Sequence, residues 1–169
     1  MKKNNKGFSL VELIIVIAIM AILAGALAPA LIKYIAKSRQ STDVQNADTV
    51  RTCVQTSLSN PDAADSTSAD TNGKYVKVSS LIEKDSKDKF KAEMYSQMGN
   101  NSTTIKYSPK GQTSIKKGSD MYVSIDVAGN TVTVAADSAG KYELSPDACE
   151  AWGGSKKATE GSGSTTSEE

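Results

Sequence analysis

From Leu13 to Ile32 the chain runs through 20 residues without a single charge. A helix of that length covers about 30 Å, the hydrocarbon thickness of a bilayer. Beyond it the period changes, and Val44, Ala47, Val50, Val54 and Leu58 recur every three or four residues. That spacing predicts an amphipathic helix with one face buried. Asn60-Pro61 stops the pattern, because proline cannot donate the next helical hydrogen bond. The two stretches join into one predicted helix from about Phe8 to Ser59, about 80 Å long, apolar all round in its first half and on one face in its second.

The remainder is polar, with shorter signals. Pro61, Asp62, Asp65 and Gly73 lie in a loop over residues 61 to 73, and Tyr75 to Val78 reads as a short strand. Ser80 followed by Glu83 fits a capping box that opens a short helix, with Ile82, Phe90, Met94 and Met98 on one face and Gly99 as its end. Met121 to Val127 alternates, with Val123, Ile125 and Val127 on one side and Tyr122, Ser124 and Asp126 on the other. Gly129-Asn130 then turns the chain into Val132 and Val134, a hairpin. Ile105 with Tyr107, and Tyr142 to Leu144, are weaker strand candidates. Three or four antiparallel strands with one apolar face need a cover, which the amphipathic half of the long helix supplies. The expected class is therefore α+β. Asp48 and Arg51 are expected to pair on the solvated face of the helix. Beyond Trp152 the residues are too polar to bury anything, so 153–169 is expected to be a disordered tail.

Composition narrows the function. The chain has 169 residues, 20 basic and 19 acidic, and no histidine. Zero histidine excludes Ser-His-Asp and Cys-His catalysis and His-ligated metal sites. No nucleophile has an evident base, so no enzyme activity, metal or other cofactor is expected. Lys2, Lys3 and Lys6 precede the apolar run, leaving 17 basic against 19 acidic residues and a formal −2. That balance carries no strong nucleic-acid signal. Cys53 and Cys149 stand 96 positions apart without a CxxC pattern. They are either a bridge, worth about 4–5 kcal/mol in the chain-entropy model, or two small buried hydrophobes that never meet.

Three lysines ahead of a long apolar helix give the charge order of a segment inserted with its start in the cytoplasm. A secretory signal peptide, with cleavage sites at Ala24-Gly25-Ala26 or Ala26-Leu27-Ala28, and a plain single-span anchor both fit this order. Neither accounts for Glu12, a carboxylate at the head of the apolar stretch that costs insertion energy unless partnered. The nearest candidate partners are Lys6 or an amino terminus created by cutting the chain just ahead of Glu12.

Lys6-Gly7-Phe8-Ser9-Leu10-Val11-Glu12-Leu13 closely resembles the processing site of type IV prepilins, and the chain resembles a major pilin of Gram-positive clostridial type. The resemblance implies cleavage by a prepilin peptidase between Gly7 and Phe8 and N-methylation of Phe8. It further implies that Glu12 pairs with the new amine of a neighbouring subunit during filament assembly. Gly25 and Pro29 match the region where pilin helices bend or melt, and each weakens the helix on its own chemistry. Pilin disulfides usually join two cysteines beyond the helix, a pattern from which Cys53 and Cys149 depart.

The implied organisation is a leader over 1–7, a membrane and filament-core helix over 8–32, an amphipathic half over 33–60, a globular domain over 61–152 and the tail, a lollipop in outline. Implied partners are further copies of the chain in a homopolymeric filament, the prepilin peptidase, the pilus assembly platform with its ATPase machinery, and the membrane before assembly. The implied location is the cytoplasmic membrane as a single-pass precursor, then an extracellular pilus serving motility, adhesion or aggregation. A pseudopilin of a type II secretion or DNA-uptake system shares the leader. A membrane-anchored adhesin or binding domain is the alternative of a different class.

Overall fold

The computed structural model describes residues 8–65, 71, 73–99 and 101–158. The chain divides into two compact units, Met1–Ala36 and Lys37–Glu169. Helix α1, Leu10–Leu58, is 49 residues long and runs without interruption through Gly25 and Pro29. It therefore belongs to both units. In the first unit none of the described residues is buried. The apolar run is presented outward on every side of the helix.

The second unit is α+β. Its four strands are β1 (Val76–Lys77), β2 (Tyr122–Asp126), β3 (Thr131–Ala135) and β4 (Glu143–Ser145). They form one sheet in the order β1-β2-β3-β4, with every neighbouring pair antiparallel. Register sets Val76 opposite Val123 and Val123 opposite Val134, a row of β-branched side chains that pack well across a pleated face. Val123, Ile125, Val132, Val134 and Leu144 are buried in one cluster with Ala47, Val50, Cys53 and Val54 of α1. The amphipathic half of the long helix thus covers the sheet, because burying both apolar faces together removes them from water.

Asn60 closes one helix and opens the next. Its side-chain oxygen accepts from the Asp62 N–H at 3.1 Å and caps α2 (Pro61–Ala64), a single turn inside the stretch expected to be loop. The expected capping box at Ser80 and Glu83 is not used. Val78–Leu81 is instead a short 3-10 turn, and Ser80 Oγ donates to the Lys77 carbonyl at 2.7 Å. Helix α3 (Lys89–Met98) starts later, with Asp88 Oδ1 accepting from Phe90 N–H at 2.9 Å. Phe90, Met94 and Met98 are buried as the pattern requires, and Gly99 ends the helix at φ 53°. That positive φ favours glycine.

Other expectations shift by a residue or two. Strand β2 ends at Asp126, whose Oδ1 accepts from Gly129 N–H at 2.9 Å, so Val127 leaves the sheet and is 37% exposed. Asn130 supplies the positive φ, 50°, that the tight turn needs. Ser124, expected to face solvent, is buried, because Thr71 lies along β2 and its backbone N–H donates to the Ile125 carbonyl at 2.9 Å. Ile105 and Tyr107 form no strand, and only an isolated bridge joins Thr104 to Asp120. The expected tail begins later than Gly153, since Glu150 N–H donates to the Lys156 carbonyl at 2.8 Å and Lys156 pairs with buried Glu143. Residues 159–169 lie outside the described ones.

Candidate functional site

The chemistry of the first unit is concentrated where α1 begins. Ser9 precedes the first helical residue, and Glu12 Oε2 accepts from the Ser9 N–H at 2.9 Å. This is one half of a capping box, in which a glutamate in the first turn satisfies a donor that the helix cannot. The carboxylate also stands at the positive end of the helix dipole. The Ser9-Leu10-Val11-Glu12 spacing carries the S-x-x-E signature that was assigned to Ser80 and Glu83 instead. Phe8, just ahead, is 86% exposed. Gly7 lies outside the described residues.

From Glu12 onward the helix offers no further polar feature until Lys33. Leu13, Ile17, Leu23, Leu27 and Ile32 are all more than half exposed. One stretch of α1 is long and apolar enough to cross a membrane, and none of it is buried inside the chain. Such a surface requires lipid or other apolar helices around it.

In the second unit, the polar residues of α1 hold the domain together. Asp43 is fully buried on the apolar stripe, one turn before Ala47. Its Oδ1 accepts from Lys106 N–H at 2.8 Å, and its Oδ2 from Tyr107 N–H at 2.8 Å and the Trp152 indole N–H at 3.1 Å. One carboxylate thereby fixes the loop after α3 and the turn that carries Trp152 onto the helix. Trp152 packs edge-on against Tyr107, with ring centroids 5.6 Å apart. Gln40 Nε2 donates to the Ala151 carbonyl at 2.9 Å on the same side. Asp48 and Arg51 do not pair with one another. Asp48 Oδ1 accepts from Ser145 Oγ of β4 at 2.7 Å, and Arg51 Nε donates to the Val132 carbonyl of β3 at 3.2 Å. Both dock the helix on the sheet.

Cys53 and Cys149 are buried in the core as two free thiols, not as a bridge. Burial pushes both thiols up from the ordinary cysteine range, opposed at Cys149 by nearby backbone N–H groups. Tyr75 is raised first by burial and then by the negative charges of Glu143 and Asp137. In each case the folded state holds the neutral form. Stability is therefore complete below the unfolded cysteine pKa of about 8.5 and falls as pH rises beyond it, when the unfolded chain ionises first. Urea midpoints of the detergent-solubilised chain should decline between about pH 8.5 and 10.5, and Cys53→Ala with Cys149→Ala should make that decline shallower.

Among the described residues no group of three or more cysteines, aspartates or glutamates is placed to hold a metal. A groove of about 290 Å³ opens beside Trp152, lined by Ser41, Val44 and Gln45 of α1 and by Ala148, Gly153 and Gly154. Its lining holds one hydroxyl, Ser41, and no charged side chain.

The model of the prokaryotic N-terminal methylation motif matches residues 2–28. A type IV major fimbrial protein FimA of Dichelobacter nodosus is 42% identical over 65 residues, 38% of this chain and 41% of that protein. A second FimA of the same organism is 42% identical over 72 residues, 40% of this chain and 45% of the relative. The chain thus spans less than half the length of these curated relatives. No solved structure matches it. By these matches the chain resembles type IV fimbrial proteins, through an amino-terminal segment that carries the prokaryotic N-terminal methylation motif.

Proposed function

We propose that the chain is the structural subunit of a type IV pilus. A prepilin peptidase removes the leader 1–7 by cutting after Gly7 and methylates Phe8. The precursor waits in the cytoplasmic membrane with its amino terminus inside. An assembly platform and its ATPase then draw the helix over 8–32 out of lipid and into the core of a surface filament that serves motility, adhesion or aggregation. The amphipathic half over 33–60 carries the globular domain on the outside.

One observation carries this reading: the uncharged stretch Leu13–Ile32 is helical and has no buried side chain, and the match to the methylation motif, residues 2–28, runs through most of it. Apolar area returns about 25 cal/mol per Å² when removed from water. Lipid supplies that environment to the precursor, and neighbouring copies of the same helix supply it to the polymer. Glu12 then exchanges its bond to the Ser9 N–H for the methylated amine of an adjacent subunit.

Sheared surface filaments should contain this chain with a mature amino terminus at methylated Phe8, read by mass spectrometry. Any other terminus overturns the cleavage assignment. Immunogold microscopy with an antibody to the second unit should label long filaments, and label confined to the membrane would overturn the pilus.

A further inference from the structure

The polarity of α1 changes abruptly where its apolar run ends. From Phe8 to Thr42 the chain has one acidic side chain, Glu12, and three cations, Lys33, Lys37 and Arg39. All three cations are exposed, and Tyr34 among them is 73% exposed. Ion pairs among the described residues engage Lys89, Lys91 and Lys156, and none of these three. Further along α1 the polar residues do have partners, since Gln40 donates to the Ala151 carbonyl and Asp43 accepts from the Lys106 and Tyr107 N–H groups.

Helix geometry spreads the cations around the axis. At about 100° per residue, Lys37 falls about 40° from Lys33, Tyr34 about 60° beyond Lys37, and Arg39 about 160° from Lys37 on the other side. They rise over about 9 Å. A docked protein covers one face of a helix, whereas these groups encircle it, which suits a surface that surrounds the helix. The run directly before them is long and apolar enough to cross a membrane, so lipid is that surface. Each Cα–Cβ bond of a helix tilts toward the amino-terminal end, so positions 37 and 39 lean back toward the run. Long Lys and Arg stems lie along apolar surface and carry their charge to the polar boundary.

We propose that Lys33, Lys37 and Arg39, with Tyr34, form a collar that binds the phosphates of anionic phospholipid headgroups. Tyr34 fits the same boundary, because an amphipathic ring prefers the level of the headgroups. The collar rests on the membrane-held precursor proposed above and names what that precursor grips. Each cation near an anionic lipid surface adds attraction, and salt weakens it.

The collar also sets the depth of the helix. Glu12 lies 22 positions before Tyr34, about 33 Å along a helix, against about 30 Å of hydrocarbon. With Tyr34 held at one boundary, an upright helix brings Glu12 to the other. Its carboxylate is then spared the cost of burial in hydrocarbon.

The test uses the full-length chain in detergent micelles, carrying Lys2→Gln, Lys3→Gln and Lys6→Gln so that no cationic side chain remains on the other side of the run. Native mass spectrometry counts the lipid retained on titration with phosphatidylglycerol, the anionic probe, or phosphatidylcholine, the neutral one. Phosphatidylglycerol should bind at least about tenfold more tightly, as three cations at an anionic surface imply. Adding Lys33→Gln, Lys37→Gln and Arg39→Gln should reduce that preference to about twofold or less, while Lys33→Arg with Lys37→Arg should keep it. Unchanged emission from Trp152 checks that each variant is folded. A preference that survives the glutamine changes overturns the collar, and so does a starting chain without any preference. Loss of the preference in excess inorganic phosphate also overturns it, because the site would then take a free anion. Wild-type chain that alkaline carbonate washes from membranes removes the membrane reading itself, whereas chain that stays in the pellet keeps that reading whatever the headgroup result.

Discussion

Asp43→Leu is expected to lower the stability of the second unit by about 3–6 kcal/mol, because one buried and two half-buried N–H donors lose their acceptor and a stranded buried donor costs about 1–3 kcal/mol. Small domains have only about 5–15 kcal/mol in total. The carboxylate is needed as such. An ionised aspartate has acceptor sites on both oxygens, and here both are used, by Lys106 on one side and by Tyr107 with Trp152 on the other. Asp43→Asn keeps the size but turns an NH₂ group toward at least one of those donors, so a loss of about 2–4 kcal/mol is expected even from this near-isostere. Trp152 is the chain's single tryptophan and is buried against Tyr107. Its emission should shift to the red at a lower urea concentration in both variants, in the order Leu, Asn, wild type. An Asn variant as stable as wild type would mean that the three donors have another acceptor.

The large apolar features were legible because their periods are unambiguous. The uncharged run and the stripe Val44, Ala47, Val50, Val54 and Leu58 needed only counting, and the structure returns a helix that begins at Leu10 and ends at Leu58. The hairpin of β2 and β3 followed from alternation and from Gly129-Asn130. Polar residues were harder, since each has several chemically reasonable partners and sequence gives no distances. Asp48 and Arg51 sit three apart on a helix and invite pairing, yet each found a better partner on the sheet. Asp43 left a signal that went unread: it falls one turn before Ala47, on the apolar stripe, where a carboxylate has to be satisfied. The capping box was recognised as a pattern and placed at Ser80 and Glu83, while the same spacing at Ser9 and Glu12 was in use. Local rules identify candidates, and tertiary contacts choose among them. At the amino terminus the resemblance was legible because its residues are contiguous in sequence, and the methylation-motif model matches residues 2–28 over them.

Replacing Glu12 is expected to have the largest effect on assembly. The residue has two separable capacities. In the single chain its side chain accepts from the Ser9 N–H and caps α1, and in the proposed filament its charge meets the amine of Phe8 on a neighbour. Truncating one partner of a shielded charge pair costs about 2–5 kcal/mol per contact, which is about 30-fold or more in an association constant. Glu12→Ala removes both capacities. Glu12→Gln is the more informative variant, because glutamine also completes a capping box while carrying no charge. If the pair with the amine drives assembly, both variants should be processed normally and both should give filament yields lower by about tenfold or more. Mass spectrometry of the membrane-held subunit would show the mature terminus intact in each, which separates assembly from cleavage. If capping alone matters, Glu12→Gln should assemble as wild type and only Glu12→Ala should fail. That outcome would remove the charge pair from the mechanism and leave Glu12 as the residue that starts the helix.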